Sequence, residues 1–295
     1  MNDLTRAWIL AARPKTLTAA AAPVVAGVGV AALHDAVSPL PALGALVGAL
    51  LIQIATNLAN DYYDFVRGGD THERVGPVRV TQAGLLSPDA VYRGMLLVMA
   101  AALLVGVYMV WVGGWPMLVL GLASLACAVL YTGGPWPLAY HGLGDLFVFL
   151  FFGLVAVGGT VWAQGRIWPQ DALLAGVAMG ALTTAILVVN NLRDIPTDAR
   201  AGKRTLAVRL GVAGTRLEYA ALLAVALAVP IVGLALLAWP RTSLAALFVA
   251  PLCVSPLRRV LTFQDPRELF PALGETSRVV ALYGVLLALG LALGG

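Results

Sequence analysis

The chain has 295 residues, 60% of them hydrophobic and 12% charged, with mean hydropathy +0.88 and formal net charge +4. A soluble domain carries about 25% charged residues, so the composition excludes a soluble globular protein and describes a polytopic membrane protein with one domain, 1–295. The basic balance, pI 9.3, reads as loop topology and as attraction to anionic lipid or phosphate, with no nucleic-acid partner.

The chain opens with a short basic stretch carrying Arg6, Arg13 and Lys15. The apolar run that follows is too long for a signal-peptide core, so no cleavable leader is expected. A bilayer core takes about 20 apolar residues per helix. Runs of that kind lie near 17–33, 40–60, 90–111, 115–132, 144–162, 170–193, 216–238, 243–262 and 278–294. The reading is an all-α membrane protein, a nine-transmembrane-helix bundle, with Pro251 and Pro256 interrupting the eighth run. With a cytoplasmic N-terminus, all of the 19 Lys and Arg residues except Arg166 and Arg241 fall on the cytoplasmic side. That puts the C-terminus outside. The expected location is the cell membrane, with the charged face towards the cytoplasm.

Two polar runs interrupt this pattern at the cytoplasmic ends of the second and sixth spans. In the first, Asn57, Asn60, Asp61 and Asp64 recur at i, i+3, i+4 and i+7, one stripe of a helix. In the second, Asn190, Asp194 and Asp198 stand at i, i+4 and i+8, with Pro196 expected to kink or end the helix near Ile195. A lone Asp at a helix end is ordinarily a cap, and Asp89 reads that way. The duplicated runs do not: carboxylates at a membrane edge are costly unless they are paired or hold a cation. Paired carboxylates and amides are hard oxygen donors of the kind Mg²⁺ takes together with substrate phosphate. Basic loops follow both runs, and Arg67 and Lys203 stand closest as phosphate ligands. A long apolar tail with a diphosphate head, a prenyl diphosphate, fits such a mouth. Cys127 and Cys253 lie within apolar stretches and read as core residues.

These residues resemble the UbiA superfamily of intramembrane prenyltransferases, and within it the 1,4-dihydroxy-2-naphthoate branch. The matching pieces cover most of the chain. They include Arg13-Pro-Lys15-Thr-Leu, the 57–64 run, Arg74-Val-Gly-Pro-x-Arg79, Tyr131-Thr-Gly-Gly-Pro, Gly142-Leu-Gly-Asp145, and 190–198 continuing into Gly202-Lys-x-Thr-Leu-Ala-Val-Arg-Leu-Gly211. The resemblance implies Mg²⁺ dependence and transfer of a polyprenyl group from polyprenyl diphosphate to 1,4-dihydroxy-2-naphthoate, with loss of the ring carboxylate. It implies that Asp61, Asp64, Asp194 and Asp198 hold Mg²⁺–diphosphate, helped by Asn57, Asn60 and Asn190. Arg13, Lys15, Tyr131 and Asp145 are the candidates for the acceptor. A third acid common in the superfamily is replaced here by Gly68, with Asp70 the next acid. Other aromatic acceptors, 4-hydroxybenzoate or homogentisate, keep the same metal site. A transporter is the alternative from another class, and it should carry ionisable groups at mid-membrane.

Overall fold

The computed structural model describes residues 2–68 and 79–294; Asp70 and Arg74 lie outside the described residues. Among those described, all regular structure is helical. The helices are α1 (Asp3–Ala12), α2 (Pro14–Leu33), α3 (Pro39–Val66), α4 (Pro88–Gly113), α5 (Trp115–Leu130), α6 (Gly144–Val148), α7 (Ala156–Gly165), α8 (Gln170–Arg200), α9 (Leu206–Leu236), α10 (Ala250–Thr262) and α11 (Leu269–Ala292). A π-helical turn, Phe149–Val155, joins α6 to α7, and a 3₁₀ stretch, Arg241–Val249, leads into α10. Eight of the described helical segments are long and apolar enough to cross a membrane, and Trp115–Leu130, at 16 residues, is shorter. Their outward faces are apolar, as at Leu104 (74% exposed) and Phe248 (78% exposed). Such a surface is stable only in lipid, so this is a multi-pass membrane protein.

The centre of the bundle is α8, more deeply buried than any other span. Alanines at 172, 175, 178, 181 and 185 line its core positions, and small residues of this kind let membrane helices approach closely. The π turn leans on the same helix. A β-carbon added at Gly153 would stand 2.5 Å from the Gly176 carbonyl oxygen, so this contact admits only glycine. On the far side α11 packs against α2 and α8. A second apolar cluster, including Ala7, Ala11, Leu58, Ala59, Val80 and Leu86, seats α1 and the 80–86 turn against α3 and α4.

Helix length positions the site. At about 1.5 Å per residue, Asn57 lies about 27 Å from the start of α3 and Asn190 about 30 Å from the start of α8. Each run therefore emerges where the hydrocarbon core, about 30 Å thick, ends. α8 continues to Arg200 with Pro196 inside it, which corrects the expected end near Ile195. Near the proline, the Thr197 hydroxyl donates to the Asp194 carbonyl at 2.9 Å and the Arg200 Nε donates to the Pro196 carbonyl at 3.1 Å. The helical bond that Pro196 cannot make is the one to the Leu192 carbonyl, so the proline removes a single backbone bond from α8. Asn190, Asp194 and Asp198 thus share one continuous helix. At the start of α4, Ser87 rather than Asp89 is the cap, its hydroxyl accepting from the Ala90 N–H at 3.2 Å. Asp89 sits in the first turn, where a carboxylate complements the helix dipole.

Candidate active site

The two runs meet through cations. Lys203 Nζ lies 3.9 Å from Asp64 Oδ2 and 3.9 Å from Asp198 Oδ1. Asp64 is otherwise enclosed: Arg79 donates to Oδ2 at 3.1 Å and the Tyr140 hydroxyl donates to Oδ1 at 3.0 Å. Arg79 and Asp64 are both buried. Removing one partner of such a pair leaves an uncompensated charge, at a cost of about 3–5 kcal/mol.

Asp61, 1% exposed, is held differently. It accepts from the backbone N–H of Val80 at 3.2 Å and of Thr81 at 3.0 Å, and from the Thr81 hydroxyl at 2.5 Å. Arg13 approaches it at 3.8 Å. Arg13 stands at the joint between α1 and α2 with φ +51°. Pro14, with no N–H to give, forces the chain to break there. The break strands the Ala12 carbonyl, and Asn57 Nδ2 donates to it at 2.9 Å and to the Thr16 hydroxyl at 2.9 Å. Gln53 donates to Asn57 Oδ1 at 3.2 Å. The Asn57 amide is therefore engaged in fixing this joint. Asn60 Oδ1 accepts from the Thr132 hydroxyl at 2.9 Å, and Asn190 Nδ2 makes a 3.4 Å bond to the Ile186 carbonyl of its own helix.

In the second run Asp194 pairs with its neighbour Arg193 in a two-pronged contact, 2.8 and 2.7 Å. The Arg193 guanidinium also lies over the Phe270 ring, 5.3 Å from its centre.

A loop between α5 and α6 covers the mouth. Arg67 donates to the Gly134 carbonyl, and Arg67 and Lys203 both lie over the Tyr140 ring, at 5.8 and 5.4 Å. The loop is tied to the second run's side as well: the Arg204 N–H donates to the Tyr140 carbonyl at 3.1 Å, and Arg209 donates to the His141 carbonyl at 3.0 Å. Tyr131, at the loop's start, has its hydroxyl 2.9 Å from where a β-carbon would stand on Gly144, beside Asp145. Asp145 is buried with Oδ2 unpartnered. Of the four acceptor candidates, then, Tyr131 and Asp145 adjoin each other and Arg13 reaches the first run. Lys15 is exposed and joins none of these contacts.

Tyr140, Val80 and Thr81 were not among the sequence candidates. Their contacts with Asp64 and Asp61 bridge loops to helices, and no local spacing carries that signal.

Beneath the mouth lies an apolar cavity of about 410 Å³ between α2, α3, α4, α5 and the stretch from Phe147 to Thr160. Its few polar wall residues include Gln53, Thr56 and Tyr131, and the half-buried Cys127 also lines it.

Among the described residues, no three His, Cys, Asp or Glu side chains gather closely enough to hold a metal alone. The donors are nonetheless hard oxygens, each already faced by a cation. Mg²⁺ is commonly held by one or two carboxylates plus substrate phosphates rather than by an all-protein cage. The site fits an ion that arrives with a diphosphate.

A helical membrane bundle with a mouth of carboxylates and cations above an apolar cavity is suited to an amphiphile with an anionic head. Comparison with known proteins gives the class a name. The chain belongs to the UbiA prenyltransferase family, whose model matches residues 20–273. It is 43% identical over 287 residues to a 1,4-dihydroxy-2-naphthoate octaprenyltransferase of Mycobacterium tuberculosis, covering 97% of each chain. An enzyme of the same name from Escherichia coli is 38% identical over 299 residues, 97% of this chain and 95% of that one. Among solved structures, a UbiA homolog from Aeropyrum pernix K1 superposes with TM-score 0.70 at 17% identity, over 92% of this chain and 96% of that one. A UbiA homolog from Archaeoglobus fulgidus bound to GPP and Mg²⁺ gives TM-score 0.62 at 16% identity, over 95% and 99%. At these identities the solved structures show the shared fold.

Proposed function

We propose that this protein transfers a polyprenyl group from polyprenyl diphosphate to 1,4-dihydroxy-2-naphthoate, with release of diphosphate and loss of the ring carboxylate as CO₂, giving the hydroquinone demethylmenaquinol. The observation that carries the reading is near-full-length similarity to naphthoate octaprenyltransferases in a chain whose two Asp runs face each other across Lys203.

Asp64 and Asp198, with Asp61 and Asp194 behind them, hold the Mg²⁺–diphosphate head. Bound there, Mg²⁺ supplies Lewis-acid neutralisation of the departing diphosphate. Lys203 and Arg79, already poised on Asp64, pair with the phosphate oxygens, and Arg67 adds a third cation at the rim. These are charges arranged in advance for charge that develops as the C–O bond breaks. The isoprenoid tail lies in the apolar cavity, away from water. Tyr131 and Asp145 orient the acceptor against the allylic carbon, and Arg13 supplies a cation for its carboxylate. Asn57 positions Arg13 through the α1–α2 joint, and Asn60 and Asn190 complete the polar lining.

The same reading has nine membrane crossings, with Trp115–Leu130 as the short one. The N-terminus and the site face the cytoplasm and the C-terminus lies outside. The concentration of cations at the carboxylate end supports this orientation.

The test is a membrane assay with labelled prenyl diphosphate and Mg²⁺, offering dihydroxynaphthoate, 4-hydroxybenzoate or no acceptor. Product from the naphthoate alone, lost with EDTA, is the expected result. Product from hydroxybenzoate moves the acceptor assignment, and none from any acceptor overturns the reading.

A further inference from the structure

The apolar cavity has a polar end and an apolar far end. Gln53, Thr56 and Tyr131 line it near the carboxylates, and Met109 and Met117 line it near the α4–α5 turn. That turn is pinned to the end of α7: Trp162 Nε1 donates to the Gly113 carbonyl and Arg166 Nε to the Val112 carbonyl, both at 2.8 Å. Five glycines line the wall. Gly44 packs against Met109 and Tyr108, and the other four, Gly48, Gly106, Gly121 and Gly159, come one from each of α3, α4, α5 and α7.

Glycine is a poor helix former, and a membrane helix usually keeps it where another helix presses close. Gly29 and Gly153 are of that kind, since an added β-carbon would stand 2.3 and 2.5 Å from neighbouring atoms. Those four cavity glycines differ. At Gly106 and Gly121 an added β-carbon meets nothing within 4 Å; at Gly48 and Gly159 the nearest atoms are 3.7 and 3.5 Å away. No packing contact requires the missing side chains, and what their absence leaves is bore. Gly121 lies about 15 Å along α5 from Tyr131, and Gly48 about 13 Å along α3 from Asn57. A short chain anchored at the carboxylates need not reach that depth, whereas a long one must pass it.

We propose that Gly106 and Gly121 set the length of isoprenoid chain the site accepts, by keeping the deep half of the bore open. This rests on the reading of the site as one for prenyl diphosphates.

The test compares Gly106→Leu and Gly121→Leu in the full-length purified protein. Gly274→Leu is the control, because a β-carbon there also meets nothing within 4 Å but Gly274 is not part of the cavity wall. Affinity for geranyl, farnesyl, geranylgeranyl and longer diphosphates is measured with Mg²⁺ and no acceptor. The expected result is a loss of at least about tenfold for the long donors, with geranyl diphosphate changed less than about twofold and the control unchanged. Gly106→Ala and Gly121→Ala, which add the least bulk, should move the cut-off less. Wild-type affinity for long donors in both leucine variants, or equal loss for short and long donors, overturns the inference. Donor binding by the wild type without naphthoate product would instead count against the acceptor assignment alone. Absence of all donor binding by the wild type would remove the donor reading and this inference with it.

Discussion

Asp64 and Asp198 share one cation: Lys203 Nζ stands 3.9 Å from a carboxylate oxygen of each. The two halves of the chain therefore meet at a side chain that can turn from carboxylate to phosphate without leaving its place. Lys203→Met removes one charge-assisted contact to the diphosphate, worth about 1.5–3 kcal/mol. The expected consequence is a rise of roughly ten- to a hundredfold in the dissociation constant for prenyl diphosphate, with acceptor KM nearly unchanged. Titration of each substrate separately checks this, and parallel losses for both would point to a structural role.

Asp64→Asn preserves shape and can still accept from the Tyr140 hydroxyl, but loses the charge. Turnover should fall by about 10²–10³, and Asp198→Asn should behave alike. Both should elute as folded protein in detergent. A variant turning over at the wild-type rate would remove that residue from the metal-binding set.

Asp61 anchors the Val80–Thr81 backbone as well as facing the site. Thr81→Val deletes only the hydroxyl bond and should cost about 1 kcal/mol of stability. Asp61→Ala should abolish turnover and also speed amide exchange at Val80 and Thr81. Unchanged exchange there would separate the anchoring role from the catalytic one.

Divalent ion removal is the simplest perturbation. EDTA should stop transfer while leaving the thermal unfolding midpoint within a few degrees in the absence of substrate, since the carboxylates already have cationic partners. Added Mg²⁺ should restore activity. A collapse of stability on chelation would indicate a structural metal instead.

At the opposite end of the bundle, Asp171 accepts from Trp239 Nε1 at 2.6 Å and meets His34 at 2.9 Å. Trp239→Phe leaves one carboxylate oxygen without that donor and should cost about 1–3 kcal/mol. Donor affinity should not change, because none of these residues reaches the cavity or the mouth. Thermal unfolding read beside a binding titration tests both halves of the statement.

The positions of the two runs could be read from the sequence because they rest on local periodicity: polar residues at helical spacing in an apolar background mark one face. Pro196 pointed to a kink or an end near Ile195, but a proline removes one backbone bond, here to the Leu192 carbonyl, and the 31-residue α8 at the centre of the bundle runs on through it to Arg200. The roles of the amides were hidden for another reason. Asn57 looked like a ligand by spacing, but its amide answers a carbonyl stranded by Pro14, far away in sequence. Tyr140 could not be found at all, because its hydroxyl reaches Asp64 only through the path of a loop. Helix α1 was missed because ten residues are too few to register as a span, although Asn2 caps it.

The chain has two cysteines, and they sit in unlike surroundings. Cys253 is packed into the core beside α11, whereas Cys127 borders the cavity. The native protein therefore carries its own occupancy gauge. An apolar maleimide should alkylate Cys127 in the empty protein, and a bound isoprenoid should shield it. The rate of that reaction reports how full the bore is, without an engineered label and without turnover.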